Sequence, residues 1–121
     1  RKQFDRPIAG FQLTQQKLAD MTVATGNALL LSAHLGRLKD AHQLRPEQVS
    51  LGKKNNARMA LDVAREARSM LGGSGITLEY PIIRHMNNLE SVYTYEGTNE
   101  INTLVIGQAL TGIAAYAEYQ G

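Results

Sequence analysis

Two stretches of this chain, Gln12 to about Ala41 and Pro46 to about Leu71, place apolar or small residues at three- and four-residue steps. That period is helical. In the first, Leu13, Leu18, Met21, Thr25, Ala28, Ser32 and Leu35 recur, while Ala19, Val23, Leu30 and Leu31 occupy other faces. In the second, Ala57, Ala60, Leu61, Ala64, Ala67 and Leu71 form one stripe and Met59, Val63 and Met70 another. A helix that is apolar on more than one side is usually covered on more than one side. The alanine stripe lets helices approach closely. The short turn from His42 to Arg45, with Pro46 suited to a first helical position and Glu47 to the positive helix end, leads from one helix to the other.

The remaining segments are shorter. Arg1 to Gly10 is polar, Pro7 disfavours helix at Arg6, and Phe4 is expected to anchor this lead-in on the helices. Gly52 is a possible early break in the second helix, at a cost of roughly 1 kcal/mol against alanine. Gly72-Gly73-Ser74-Gly75 ends that helix, supplies a left-handed cap and is expected to expose backbone N–H groups to a ligand. Pro81 starts a short helix from Ile82 to about Leu89. A last helix, capped by Thr98 or Asn99, carries Ile101, Leu104, Val105, Ala109, Gly112 and Tyr116 on one side. Ile106, Leu110, Ile113 and Ala117 lie on another. The expected fold is all-α, an antiparallel four-helix-type bundle in one domain, with no sheet. Its surplus apolar faces predict contacts beyond these 121 residues.

Composition removes several functions. The absence of cysteine excludes disulfides, thiol catalysis and cysteine metal sites. A net charge of +2 with no basic tract beyond Lys53-Lys54 gives nucleic-acid binding little support. No apolar run approaches the roughly 20 residues that span a bilayer. His34 and His42 have no third ligand type at matching spacing and read as structural or surface residues, as does His85. The chain opens at Arg1, within what reads as an ordered segment, and is expected to be a piece of a larger protein.

One stretch stands out chemically. In Tyr95-Glu96-Gly97-Thr98 a carboxylate precedes a helix, where free N–H groups collect, and a glycine beside it permits a sharp turn. On local chemistry alone, such a glutamate is usually a solvated charge that complements the helix dipole.

Its surroundings change that reading. Asn88-Leu89-Glu90 followed by Thr94 to Ile101 resembles the acyl-CoA dehydrogenase family, in which a Tyr-Glu-Gly-Thr element carries the catalytic base. Met70 to Ile76, with Glu79-Tyr80-Pro81, is similar to the family's FAD-contacting glycine turn. Arg1-Lys2-Gln3-Phe4, with Gln12 downstream, is similar to the segment that reaches the flavin. Ile83-Arg84-His85, Asn88-Leu89-Glu90 and Thr111-Gly112-Ile113 most resemble the glutaryl-CoA dehydrogenase branch. The resemblance implies the C-terminal domain of a larger flavoenzyme. N-terminal helical and middle β domains would precede it, and the domain would form the centre of a homotetramer. It further implies a bacterial cytoplasmic or eukaryotic mitochondrial-matrix setting.

Carried onto this chain, the resemblance makes Glu96 the base that takes the α-proton of an acyl-CoA thioester, buried against apolar walls. Its main-chain N–H would help to hold the thioester oxygen. Tyr95 and Gly97 would meet substrate. Arg1, Phe4, Gln12, Ser69, Met70, Leu71, Gly72, Gly73, Thr98 and Tyr116 would meet FAD, the glycine turn serving a neighbouring subunit's cofactor. No metal is implied. In the glutaryl branch the oxidised intermediate loses CO2 to give crotonyl-CoA, and electrons pass to electron-transfer flavoprotein. The chain departs from the family pattern at Ser69, where some relatives have Gln, and at Gln108, where many have an Arg whose charge and bidentate fork Gln lacks. Two alternatives remain open: another branch acting on a simple acyl chain, and a non-catalytic helical oligomerisation domain. The 121 residues alone are expected to be inactive.

Overall fold

One helix organises the structure, a computed structural model described for residues 1–116. Helix α2 (Pro46–Met70) packs against all the others: α1 (Gln12–Asp40), α3 (Ile82–Thr94) and α4 (Asn99–Thr111). Packing of α1 on α3 or α4 is slight by comparison. The small residues predicted to line α2 form the core. Ala57, Leu61 and Ala64 are buried, with Ala28 of α1 against them, and Leu61 is 1% exposed. Polar links reinforce each pairing. Asn56 Nδ2 donates to Ala28 O and Ser32 Oγ on α1, Arg65 pairs with Glu90 on α3, and Lys54 Nζ donates to Thr103 Oγ1 on α4.

Helix α2 starts as its sequence dictates. Pro46 occupies the first turn, and the Gln48 side chain accepts from the Arg45 N–H at 2.9 Å. Glu47 is half-buried; a backbone amide hydrogen bond first, then the Arg45 guanidinium, hold its carboxyl below the usual glutamate range. The expected break at Gly52 does not occur. Gly52 is buried because the Leu35 side chain occupies the space a Cβ would need, so packing offsets the low helix propensity.

Three expectations are corrected. A two-residue ladder pairs β1 (Lys2–Gln3) with β2 (Arg6–Pro7), around a turn in which Phe4 (φ 52°) and Asp5 (φ 61°) are both left-handed. Two successive positive-φ residues form the mirror-image turn that matches strand twist. Helix α3 continues past Leu89 to Thr94, because half-buried Val92 and Tyr93 extend its apolar stripe. Helix α4 stops at Thr111, where Gly112 (φ 76°) closes it with a left-handed cap, so Ile113 and Tyr116 lie beyond it. Ala117 lies outside the described residues.

Much apolar surface stays uncovered. Leu13, Val23, Leu29 and Leu30 of α1 are exposed, as is Leu110 of α4. The accessible surface is 8719 Å², against about 6,500 Å² for a compact monomer of this mass.

Candidate active site

The segment between α3 and α4 is held in a strained form by side chains from two helices. Tyr95 N–H makes the last bond of α3, to Ser91 O at 2.9 Å. Glu96 then takes φ 53° and Gly97 φ 90°. A left-handed L-residue costs roughly 1–2 kcal/mol, and glycine avoids that cost. Thr98 caps α4: its Oγ1 accepts from Ile101 N–H at 3.1 Å. That settles the choice between Thr98 and Asn99.

Lys53 of α2 compensates the strain. Its Nζ donates to the carbonyls of Tyr95, Glu96 (2.9 Å) and Gly97 (2.6 Å). Asn102, only 7% exposed on α4, donates through Nδ2 to Gly97 O at 2.9 Å and Thr98 O at 3.0 Å. Sequence reasoning missed both residues. The signal for Asn102 was an amide four places past the cap, next to Ile101 and Leu104 on the apolar side of α4. Lys53 was read only as half of a small basic pair, and nothing local distinguishes it.

The carboxylate of Glu96 is exposed and has no hydrogen-bond or ion-pair partner among the described residues. The apolar walls expected around it are not supplied by these residues. Tyr95 is also exposed, its ring centroid 6.0 Å from Lys53 Nζ. A groove of 870 Å³ between α1, α2 and α4 is lined by Met21, Met59, Val63, Asn99 and Ile106 among others, and Glu96 is not one of them.

A second cluster gathers the expected cofactor residues from both ends of the sequence. Arg1 Nη1 donates to Leu71 O at 3.0 Å, and its guanidinium lies where a side chain on Gly72 (φ 60°) would stand. Gly73 faces open space and Ser69 is exposed, with Met70 and Leu71 half-buried beside them. The turn is less open than expected, because Gly75 is buried against Arg68 O. Phe4 does not pack on the helices. It is 88% exposed and meets Phe11 edge-on at 6.2 Å, with Arg6 over the Phe11 ring at 3.9 Å. Gln12 is exposed at the first position of α1. Tyr116 Oη donates to Gln108 Oε1 at 2.6 Å, so the Gln108 amide has a local partner.

Lys53 of α2 and Leu71, which caps that helix, are 71 − 53 = 18 residues apart, about 27 Å at 1.5 Å per residue. The Glu96 turn and the Arg1–Gly72 cluster therefore sit towards opposite ends of one helix.

Residues 1–111 match the family model of the acyl-CoA dehydrogenase C-terminal domain. This chain belongs to the acyl-CoA dehydrogenase family. The family is enzymatic and uses FAD. The domain superposes on a crystal structure of glutaryl-CoA dehydrogenase from Mycobacterium smegmatis with a TM-score of 0.93 and 68% identity, covering 97% of this chain and 30% of that one. A glutaryl-CoA dehydrogenase of the same organism, in complex with FADH2, gives 0.93 and 62% over the same shares. The mitochondrial short-chain specific acyl-CoA dehydrogenase of Homo sapiens is 35% identical over 106 residues, 88% of this chain and 26% of that protein. The acyl-CoA dehydrogenase domain thus spans about 30% of the length of the proteins it matches. No helix among its described residues is long and apolar enough to cross a membrane.

Proposed function

We propose that this chain is the C-terminal part of a FAD-dependent glutaryl-CoA dehydrogenase, and that it supplies the catalytic base. The observation that carries the reading is the turn itself. Glu96 has a left-handed backbone, restrained by its neighbours, and a carboxylate with no partner among the described residues. Strain persists only where surroundings over-determine it, and it clusters at functional sites. The 68% identity to a glutaryl-CoA dehydrogenase supports the substrate.

The residues present fit the cofactor. A guanidinium beside an open glycine turn suits the pyrophosphate and adenosine of a dinucleotide, and Arg1, Gly72 and Gly73 would hold it there, with Ser69, Met70 and Leu71 alongside. Bound FAD would accept the β-hydrogen of the acyl chain together with its electron pair. Glu96 takes the α-proton onto its carboxylate, the new Cα–Cβ double bond forms, and Gly97 and Tyr95 line the approach to it. The free N–H groups of the turn face the developing enolate oxygen. In the glutaryl chain the γ-carboxylate then leaves as CO2, and the dienolate left behind is reprotonated to crotonyl-CoA.

The separation of roughly 27 Å between the two clusters supports their serving different cofactor molecules. That arrangement requires more than one subunit. Together with the uncovered apolar surface, it supports a homotetramer in which upstream domains of the same protein complete the acyl pocket around Glu96. Electron-transfer flavoprotein would be the oxidant that regenerates FAD.

The test is Glu96→Gln in the full-length protein. FAD should stay bound while flavin reduction by glutaryl-CoA falls by at least about 10³-fold. Near-normal reduction removes Glu96 from the chemistry. The short-chain relative favours a second reading, oxidation of a simple short-chain acyl-CoA without decarboxylation. Stoichiometric CO2 from glutaryl-CoA decides between them.

A further inference from the structure

We propose that Lys53 is a positioning residue that polarises the backbone donor beside Glu96; this rests on the dehydrogenase reading above. The ammonium donates to three successive carbonyls, those of Tyr95, Glu96 and Gly97. In a planar trans peptide the C=O and the next residue's N–H point in opposite directions. The N–H groups of Glu96, Gly97 and Thr98 therefore face away from Lys53, toward the other side of the turn. None of the three donates to an acceptor among the described residues. One side of the turn is saturated by a cation and the other presents unpaired donors.

This arrangement has an electrostatic consequence. A charge-assisted hydrogen bond to a carbonyl draws electron density through the peptide unit and makes the N–H at its far end a stronger donor. Tyr95 O and Glu96 N–H share one peptide unit. Lys53 thus acts on the same amide that would meet the thioester oxygen, from the opposite side and without touching substrate. The gain grows as charge moves onto that oxygen, so it favours the enolate over the neutral thioester. Lysine suits the task because its compact ammonium has three donors on a flexible stem, one for each carbonyl. Helix α2 supplies a rigid base for that stem, and Asn102 secures the last carbonyl from α4.

The experiment compares two ligands of the full-length, FAD-loaded protein in wild type, Lys53→Met and Lys53→Arg. Acetoacetyl-CoA has an acidic C–H between two carbonyls, and its enolate carries charge on the thioester oxygen; S-butyl-CoA is a thioether that lacks that oxygen. Lys53→Met should lose acetoacetyl-CoA affinity by roughly ten- to thirtyfold, less than the 10²–10³ that removal of a whole donor costs. S-butyl-CoA affinity, FAD content and KM should change by less than about twofold while kcat falls with the enolate affinity. Lys53→Arg, which keeps the charge, should restore most of the loss. Should Lys53→Met fail to accumulate, Lys53→Gln, which donates without charge, is read the same way. Equal losses for both ligands would reduce Lys53 to a structural residue, and unchanged affinities would remove it from the site. Wild-type protein that binds neither ligand, or a Glu96→Gln variant that reduces flavin normally, overturns the dehydrogenase reading and the lysine's role with it. A deficit confined to the enolate in Lys53→Met, with Glu96→Gln inactive, supports both.

Discussion

The two ends of helix α2 solve the same problem in opposite ways. At its N-terminal end, the Glu96 turn is braced from within the chain, by an ammonium from α2 and a buried amide from α4. At its C-terminal end, the glycine turn is braced by one guanidinium from the first residue and leaves Gly73 open. A group that must aim a proton acceptor needs its geometry before substrate arrives, because misplacement by about 1 Å costs roughly 10²-fold. A surface that receives a cofactor from another subunit needs close approach more than rigidity. On the function proposed above, the first end is the half of the site that this domain preorganises and the second is the half that awaits a partner subunit.

The largest expected effect would break the comparison at its strong end. Glu96→Gln should abolish flavin reduction without lowering FAD content, and stopped-flow bleaching of the oxidised flavin measures it. Asn102→Ala comes next. It removes two hydrogen bonds at a buried position, while Gly97 O keeps Lys53 and Thr98 O keeps the Asn102 N–H, and should cost about 1 kcal/mol of stability in denaturant titrations. It should also lower kcat, because Gly97 is then held by Lys53 alone.

Gly72→Ala probes the weak end. It places a Cβ against the Arg1 guanidinium in a left-handed backbone, so FAD retention after gel filtration should fall several-fold while acetoacetyl-CoA affinity of the FAD-saturated protein holds. Equal damage to both would mean that the two ends are one unit.

The smallest effect concerns the start of α2. The folded-state pKa of Glu47 lies below its ordinary value, so its contribution is complete at neutral pH and is lost as pH falls through the glutamate range. Glu47→Gln should flatten the acid limb of the stability curve slightly and leave neutral-pH kinetics unchanged. A thermal-melt series against pH measures it.

The helices were legible because their causes are local. The three- and four-residue period of α1 and α2, Pro46 at the start of α2, and Thr98 before α4 each act within a turn or two of the chain. Helix ends were less legible. Leu89 looked terminal because the polar residues after it hid Val92 and Tyr93, whose burial depends on α2. Gly52 looked like a break because its compensation comes from Leu35, seventeen residues earlier in sequence. The hairpin at Phe4 and Asp5 carries no glycine, and Asp5 alone, beside a bulky Phe at the other left-handed position, is a weak turn signal.

What the sequence by itself determined is the set of helices, the family to which the chain belongs and the candidate base, since periodicity, caps and the Tyr95–Thr98 motif are written in neighbouring residues. What only the tertiary structure decided is how that base is held. Lys53 lies 43 positions from Glu96 and Arg1 lies 70 from Leu71. Each meets its carbonyls because packing around Leu61 sets the helices side by side, and no local pattern encodes a hydrogen bond across that distance.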